Sequence, residues 1–259
     1  TSPPLMDVWH GLLLVGAGAL GGAANAIAGG GTFFTFPALL AAGVPPVAAN
    51  ASNSLAIWPG HALAVLSYGK ELKRHRHGLP RLLVAAVAGG ALGGWLMVHS
   101  TDRYFMQAVP WLLLLATLAF AFKRAMLSFS RRVFSASHGG NRFLALFLTF
   151  SLGIYGGYFN AGLGIMLLAT LTLSGIEDTH ELNGVKNLLA TAITTMSLIL
   201  LVASGVIAWI PALVTLAGAT VGGILGGHLA RRIPRRWLEG TVIGLGSLLT
   251  VVYGFKVYG

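Results

Sequence analysis

The sequence predicts an all-α integral membrane protein of two inverted repeats, each a broken helical hairpin followed by three transmembrane helices. Of the 259 residues, 55% are hydrophobic and 9% are charged, whereas soluble domains carry about 25% charged residues. The mean hydropathy of +0.77 also favours long apolar segments. Similar blocks in both halves indicate the repeat, and the distribution of basic residues indicates the orientation.

Composition and charge exclude several other classes of protein. The chain has no cysteine, which excludes disulfide scaffolds, thiolate metal sites and thiol nucleophiles. Its formal net charge of +10 would suggest a nucleic-acid partner in a soluble protein. Here nearly all basic residues fall between apolar segments, which is typical of the cytoplasmic loops of membrane proteins. We therefore predict a lipid bilayer as the surroundings and no nucleic acid as a partner.

Each half begins with a long apolar stretch that is interrupted by glycine. Residues 11–42 are interrupted by three glycines at 29–31 and by Pro37, and residues 143–174 are interrupted at 162–164. Both stretches are too long for one straight span. Separate helices are predicted at 50–68, 79–98, 104–122, 185–203, 208–230 and 237–255. We assign residues 1–128 to the first repeat, 129–142 to a basic cytoplasmic linker and 143–259 to the second repeat.

Three sequence blocks recur in the same order in the two halves. Residues 21–26 align with 156–161, residues 53–56 with 187–190, and residues 89–94 with 222–227. Glycine-rich segments match easily by chance, but three matches at nearly constant separation indicate an internal repeat.

The basic clusters predict the topology. They lie at 70–81, 123–142 and 231–236, and all three should face the cytoplasm. Three single crossings between the last two clusters would violate this rule, unless residues 143–174 enter the membrane and return as a hairpin. Its arms would have about 17 and 11 residues, or roughly 25 and 16 Å. The same fold-back in residues 11–42 leaves three crossings per repeat, which inverts the second repeat and places both chain ends outside the cytoplasm.

The helix breaks predict where a binding site lies. Inverted repeats with broken helices are typical of secondary transporters, whose substrate binds near the midplane of the membrane. Non-helical backbone at this depth must be buried in protein or line a cavity, and free N–H groups at helix starts favour an anion there. The alternative is that the glycines only allow close helix packing. The candidate backbone positions are Gly30, Gly31, Thr32, Gly162 and Gly164.

Polar side chains occupy equivalent positions near the two breaks. Asn25 and Asn160 precede the breaks, while Asn53 and Asn187 are predicted in the first turns of the helices that follow. Each amide can bind a ligand oxygen or cap free backbone. Lys186 is the only cationic side chain outside the loop clusters and span ends. A charge within the membrane is a functional hypothesis, and snorkelling to the interface is its alternative.

His61 is the titratable residue nearest the middle of a span in the first half. Histidine, with an ordinary pKa near 6.5, suits proton exchange, and a packing role is the alternative. All seven acidic residues lie at segment ends or in loops, and no HExxH motif occurs, so a metalloprotease is excluded. We predict that the protein is not an enzyme and has no catalytic residue, metal site or cofactor.

The glycine and proline pattern resembles the TauE/SafE family of sulfite exporters over nearly the whole chain. The resemblance implies an inner-membrane transporter of small sulfur-containing anions, such as sulfite or organosulfonates, that commonly exports them. The two halves differ at one signature position, where Ser52 stands in place of Lys186. The segments that carry the likeness are Gly29-Gly30-Gly31, Pro37, Gly43-Val44-Pro45-Pro46, residues 49–54, Gly162-Leu163-Gly164 and residues 183–188.

We therefore predict a multi-pass carrier of the inner membrane that moves a small sulfur oxyanion or sulfonate by alternating access. The predicted ligands are the backbone N–H groups at the breaks, the four asparagine amides and the ammonium group of Lys186. A passive anion channel is the alternative, and it differs in being unable to move substrate uphill. The direction of transport, the coupling ion and assembly into a homo-oligomer stay open at this point.

Overall fold

The computed structural model describes residues 7–27, 29–74, 78–136, 142–174, 176, 178–229 and 235–259. These residues form twelve α-helices and no strand. The first half contains α1 (Val8–Ile27), α2 (Thr32–Ala41), α3 (Pro46–Leu66), α4 (Gly69–Arg74), α5 (Leu79–Val98), α6 (Asp102–Ala121) and α7 (Lys123–Ala136). The second half contains α8 (Arg142–Tyr158), α9 (Leu163–Leu173), α10 (Thr179–Ala203), α11 (Trp209–Leu229) and α12 (Arg235–Tyr258).

Both long apolar stretches are broken at the predicted glycines. Gly29, between α1 and α2, has a φ of +80°, and Gly162, before α9, has a φ of +71°. This left-handed conformation has little steric cost for glycine alone, so each helix ends there. The second pair of arms, α8 and α9, contains 17 and 11 residues, which confirms the predicted arm lengths.

Each broken stretch folds back on itself. A Cβ atom added to Gly21 in α1 would lie 2.7 Å from the Cγ2 of Thr35 and 3.0 Å from the carbonyl oxygen of Gly31. A Cβ atom added to Gly156 in α8 would lie 2.6 Å from the side chain of Leu163 in α9. The arms of the first stretch therefore pack side by side as a hairpin, and those of the second contact each other beside the break.

The long helices confirm the membrane assignment. Among the described residues, five helices are long and apolar enough to cross a bilayer, namely α5, α6, α10, α11 and α12. The sixth predicted crossing, α3, has 21 residues, or about 31 Å, but it carries a polar run from Asn50 to Ser54. With 10 and 11 residues, α2 and α9 are too short to cross. The protein is thus an all-α, multi-pass membrane protein.

Corresponding helices of the two halves run in opposite directions. Near the start of α3, the Ser52 hydroxyl donates to the carbonyl oxygen of Ala208 at 3.3 Å, in the short connection that leads from α10 to α11. Near the start of α10, Gly184 packs against Tyr68, just beyond the end of α3. The end of α12 likewise contacts the start of α6, where the Tyr258 hydroxyl donates to the Gln107 carbonyl oxygen. The start of α12 contacts the first residue of α7, just after the end of α6, where Glu239 pairs with Lys123. An inverted repeat requires these directions, and the inversion itself stays a prediction.

Two glycine seams join the halves. A Cβ atom added to Gly222 of α11 would overlap the carbonyl oxygen of Ala19 in α1, and one added to Gly93 of α5 would overlap that of Ile154 in α8. Small residues four positions apart allow such backbone contact between membrane helices. The seams contain Gly18, Gly22, Gly218, Gly222 and Gly226 between α1 and α11, and Gly89, Gly93, Gly153 and Gly157 between α5 and α8.

Two helices, α3 and α10, begin a full turn or more earlier than predicted. α3 begins at Pro46, since proline suits the first position of a helix. α10 begins at Thr179 because the Asp178 carboxylate accepts hydrogen bonds from two backbone N–H groups at 2.8 Å. The prediction that Asn53 and Asn187 lie in first turns was therefore wrong, and both lie about two turns further in.

The basic segments contain more helix than the sequence predicts. α4 lies in the first basic cluster, and α7 covers Lys123–Ala136, which includes part of the predicted linker at 129–142. Residues 137–141 and 230–234, and with them Arg231 and Arg232 of the third cluster, lie outside the described residues.

Candidate functional site

A buried chain of polar side chains joins the two hairpins through α3. The Thr32 hydroxyl, at the start of α2, donates to the Asn160 carbonyl oxygen at 2.9 Å. The Asn160 amide donates to the Ser54 hydroxyl at 3.4 Å, and the Asn53 amide donates to the Thr32 hydroxyl at 3.4 Å. The Thr35 hydroxyl donates to the Asn53 carbonyl oxygen. All five side chains are buried, so this polar chain fixes the first hairpin against the second break.

The polar chain brings three predicted ligands together, but it also uses their hydrogen-bonding atoms. Thr32, Asn53 and Asn160 each bond to the side chain of another member of this polar chain. The two asparagines therefore bond to side chains here and do not cap free backbone. Thr35 and Ser54 were not singled out from the sequence. The available signal for Thr35 was its spacing from Thr32, since residues three apart share one face of a helix.

The two asparagines before the breaks should differ in their effect on stability. We expect Asn160→Ala to lower the free energy of unfolding by about 1 to 3 kcal/mol, because buried partners such as Thr32 lose their bonds. Asn25→Ala is the matched control, since the Asn25 side chain makes no hydrogen bond to the described residues. Thermal unfolding in detergent without added anion measures both. Equal losses of stability in the two variants would contradict the structural role of the Asn160 hydrogen bonds.

A second polar group forms where α10 passes the start of α9. The Lys186 Cδ lies 3.6 Å from the position that a Cβ atom on Gly164 would take. The ammonium group donates to the Asn183 side-chain oxygen at 3.4 Å. Lys186 and His61 are both half-buried. The structure thus brings Lys186 to the second break, while His61 lies in α3.

The start of α9 presents a backbone donor to this region. Gly162 begins the helix in the left-handed conformation, with no side-chain cap. The N–H groups of Ile165 and Met166 donate to the Gly162 carbonyl oxygen at 3.1 and 3.3 Å, while that of Gly164 has no acceptor among the described residues. The positive end of a helix and a lysine charge attract an anion to the same place.

The start of α2 differs from that of α9. The N–H of Thr32 also has no acceptor in the described part of the chain, from which residue 28 is missing. Space is short here, however: a Cβ atom on Gly30 would lie 2.9 Å from Val242, and one on Gly31 would lie 2.7 Å from the Gly21 carbonyl oxygen. These contacts support the packing interpretation for both glycines.

Asn25 and Asn187 retain free side-chain amides within the described part of the chain. The Asn25 amide nitrogen lies 3.3 Å from the position of a Cβ atom on Gly60, an exposed residue next to His61. Asn187 is 7% exposed and follows Lys186 in α10. Neither makes a side-chain hydrogen bond to the described residues. Their repeat counterparts, Asn160 and Asn53, each donate and accept a hydrogen bond in the polar chain.

Comparison with known proteins gives a consistent result. The family model described as "Sulfite exporter TauE/SafE" matches residues 14–253. A "Probable membrane transporter protein" of Haemophilus influenzae is 29% identical over 87% of this chain and 87% of its own. "Probable membrane transporter protein YfcA" of Escherichia coli K12 is 26% identical over 93% of this chain and 88% of its own. No solved structure matches the chain.

Proposed function

Because this chain belongs to the sulfite exporter TauE/SafE family of membrane transporters, we propose that it exports a small sulfur oxyanion or sulfonate, such as sulfite, by alternating access. The observation that carries the proposal is the position of Lys186 beside the uncapped start of α9. A cation and free backbone donors in a partly buried site bind the oxygen atoms of an anion. No acidic residue occurs in the apolar parts of the chain, so repulsion of the anion is small.

The proposed ligands fall into two groups. Lys186, Gly164 and the free amides of Asn187 and Asn25 contact the anion directly. Thr32, Asn53 and Asn160 hold the hairpins in place, and they reach the anion only when the polar chain rearranges. Backbone at Gly162 provides the turn that exposes the Gly164 N–H.

The difference between the repeats supports alternating access. The Thr35 hydroxyl is bonded to Asn53, whereas their repeat counterparts, Thr170 and Asn187, share no hydrogen bond among the described contacts. Inverted repeats that take different conformations produce a cavity open to one side. Exchange of the two conformations would open the other side. We propose that the hydrogen bond between Thr35 and Asn53 then breaks and that an equivalent bond between Thr170 and Asn187 forms.

Reconstituted vesicles distinguish a carrier from a passive anion channel. Purified protein is placed in vesicles with an imposed proton or sodium gradient, and accumulation of labelled sulfite is followed with and without ionophores. A carrier coupled to that gradient moves the anion uphill until the ionophore is added. Movement only down the anion's own gradient, under every imposed ion gradient, would favour the channel.

Ligand-dependent stabilisation identifies the anion. The apparent thermal stability of the purified protein is measured with sulfite, thiosulfate, sulfate and sulfonates, because a ligand that binds only the folded state raises it by mass action. We expect sulfite or a sulfonate to raise the midpoint more than chloride at equal ionic strength. No difference among these anions and chloride would contradict the proposed substrate class.

His61 is the proposed site of proton coupling. It lies in α3, two residues after Pro59, and it is half-buried. Because histidine is the side chain whose charge most readily changes with pH in a protein, we expect His61→Gln to alter the dependence of transport on pH. His180→Gln, at an exposed position at the start of α10, is the control. A His61 variant with an unchanged pH profile would show that the proton is bound elsewhere.

A further inference from the structure

α7 is an amphipathic helix, and one of its faces packs against the rest of the protein. Its inner face carries Met126, Ser130 and Val133, of which Ser130 is only 6% exposed, and it packs against α9. The ammonium group of Lys123 binds the carboxylate of Glu239 in α12 at 2.9 Å. The helix is therefore held at both α9 and α12, and its orientation is fixed.

The outer face of α7 is basic and partly aromatic. Arg124, Ser128, Arg131 and Arg132 are exposed there, and at its edge Phe129 is 68% exposed. α7 contains no acidic residue, so the guanidinium groups have no carboxylate on their own helix. This face does not pack on the described part of the protein.

An exposed phenylalanine beside arginines matches the membrane interface. Helices that lie in the interface place aromatic side chains at the boundary of the acyl chains and basic side chains among the headgroups. Guanidinium groups bind phosphate oxygens with paired hydrogen bonds. α7 directly follows α6, which is long and apolar enough to span the membrane, so a bilayer surface lies within its reach.

We propose that the outer face of α7 binds the headgroups of anionic phospholipids, such as phosphatidylglycerol, in the surrounding bilayer. Arg124, Arg131 and Arg132 hold the phosphate groups, and Phe129 enters the edge of the acyl layer. The proposal depends on the membrane location and not on the transported anion. Because α7 packs on α9, the lipid contact would also support the helix whose start forms the candidate anion site.

The natural chain allows a clean test because it has no cysteine. Ser128→Cys, on the outer face, is labelled with a polarity-sensitive fluorophore, and the protein is placed in nanodiscs. Some nanodiscs contain phosphatidylcholine alone, and others contain phosphatidylcholine with phosphatidylglycerol. We expect a blue shift with phosphatidylglycerol that high salt reverses, since headgroup attraction is screened. Neutralising the three arginines should abolish the shift that phosphatidylglycerol causes, because each basic residue near the surface adds to the attraction of anionic lipid.

The variants and controls separate lipid binding from other causes. The test variant is Arg124→Gln with Arg131→Gln and Arg132→Gln, and the control is Arg103→Gln, an exposed arginine at the start of α6. The control should keep the shift. A shift that inorganic phosphate reproduces in phosphatidylcholine would identify a free-anion site and overturn the proposal, as would a wild-type shift independent of lipid charge. The salt effect on the wild-type protein decides the question even if the triple variant fails to fold.

Discussion

Replacing Lys186 with alanine should weaken binding of the transported anion by about 1.5 to 3 kcal/mol, or roughly 10- to 150-fold in the dissociation constant. The reason is that a charged donor in a partly buried site contributes more than a neutral one. Lys186 lies beside Gly164 at the start of α9. In the variant the Gly164 N–H remains available to the anion, but the full positive charge is lost. The dissociation constant is measured from the thermal stability of the purified protein at increasing anion concentration.

Two controls make this result specific. Lys256→Ala removes the lysine in the last turn of α12, far along the chain from the breaks, and it should leave anion affinity unchanged. Lys186→Arg keeps the charge but changes its shape, so it should retain part of the affinity. If Lys186→Ala binds and transports the anion as the wild-type protein does, Lys186 does not belong to the site, and snorkelling to the interface explains its position.

Replacing Gly222 with alanine should lower the free energy of unfolding by about 3 kcal/mol, because overpacked positions force neighbouring backbones apart. The added Cβ atom would overlap the carbonyl oxygen of Ala19. This overlap cannot be relieved by a side-chain rotation, because the Ala19 oxygen is a backbone atom and the Cβ atom is bonded directly to the backbone. Transport should fall as well, because the α1 and α11 seam holds the first hairpin against the second half.

The control for this substitution is Gly244→Ala in α12. A Cβ atom there meets no atom within 4 Å, and alanine favours a helix over glycine by about 1 kcal/mol. Its stability should therefore stay the same or rise. The thermal midpoints of the two variants are compared in detergent, with the loss of monodisperse protein on heating as the measure of unfolding. Equal midpoints for both would contradict the described seam.

Local sequence signals predicted the broken helices well. Glycine at 29 and 162 is required where the backbone is left-handed, so the sequence itself marks the break. The lengths of the second pair of arms followed from the distance between Phe143, the break and Ser174. The early start of α10 was missed because the prediction followed apolar residues, whereas the Asp178 cap lies outside the apolar segment.

The site was predicted only in part, because its bonds join distant parts of the chain. Equivalent asparagines could be identified from the repeat, but their partners could not. The bond between Thr32 and Asn160 spans 128 positions, and no local pattern indicates it. Symmetry also suggested similar roles for Asn25 and Asn160, whereas only Asn160 is engaged among the described contacts. A repeat predicts equivalent positions. In any one state of a transporter, however, the two repeats take different conformations, so equivalent residues make different contacts.

The accessible side of α12 tests the central claim, that each repeat contains a returning hairpin and three crossings. Single cysteines replace Arg235, at the start of α12, and Tyr258, at its end, in a chain that has none of its own. Labelling in oriented vesicles uses a thiol reagent that cannot cross the membrane. The topology predicts that position 235 reacts only from the cytoplasmic side and position 258 only from the opposite side. Reaction of position 235 from the exterior would contradict the inverted repeat and the site built on it.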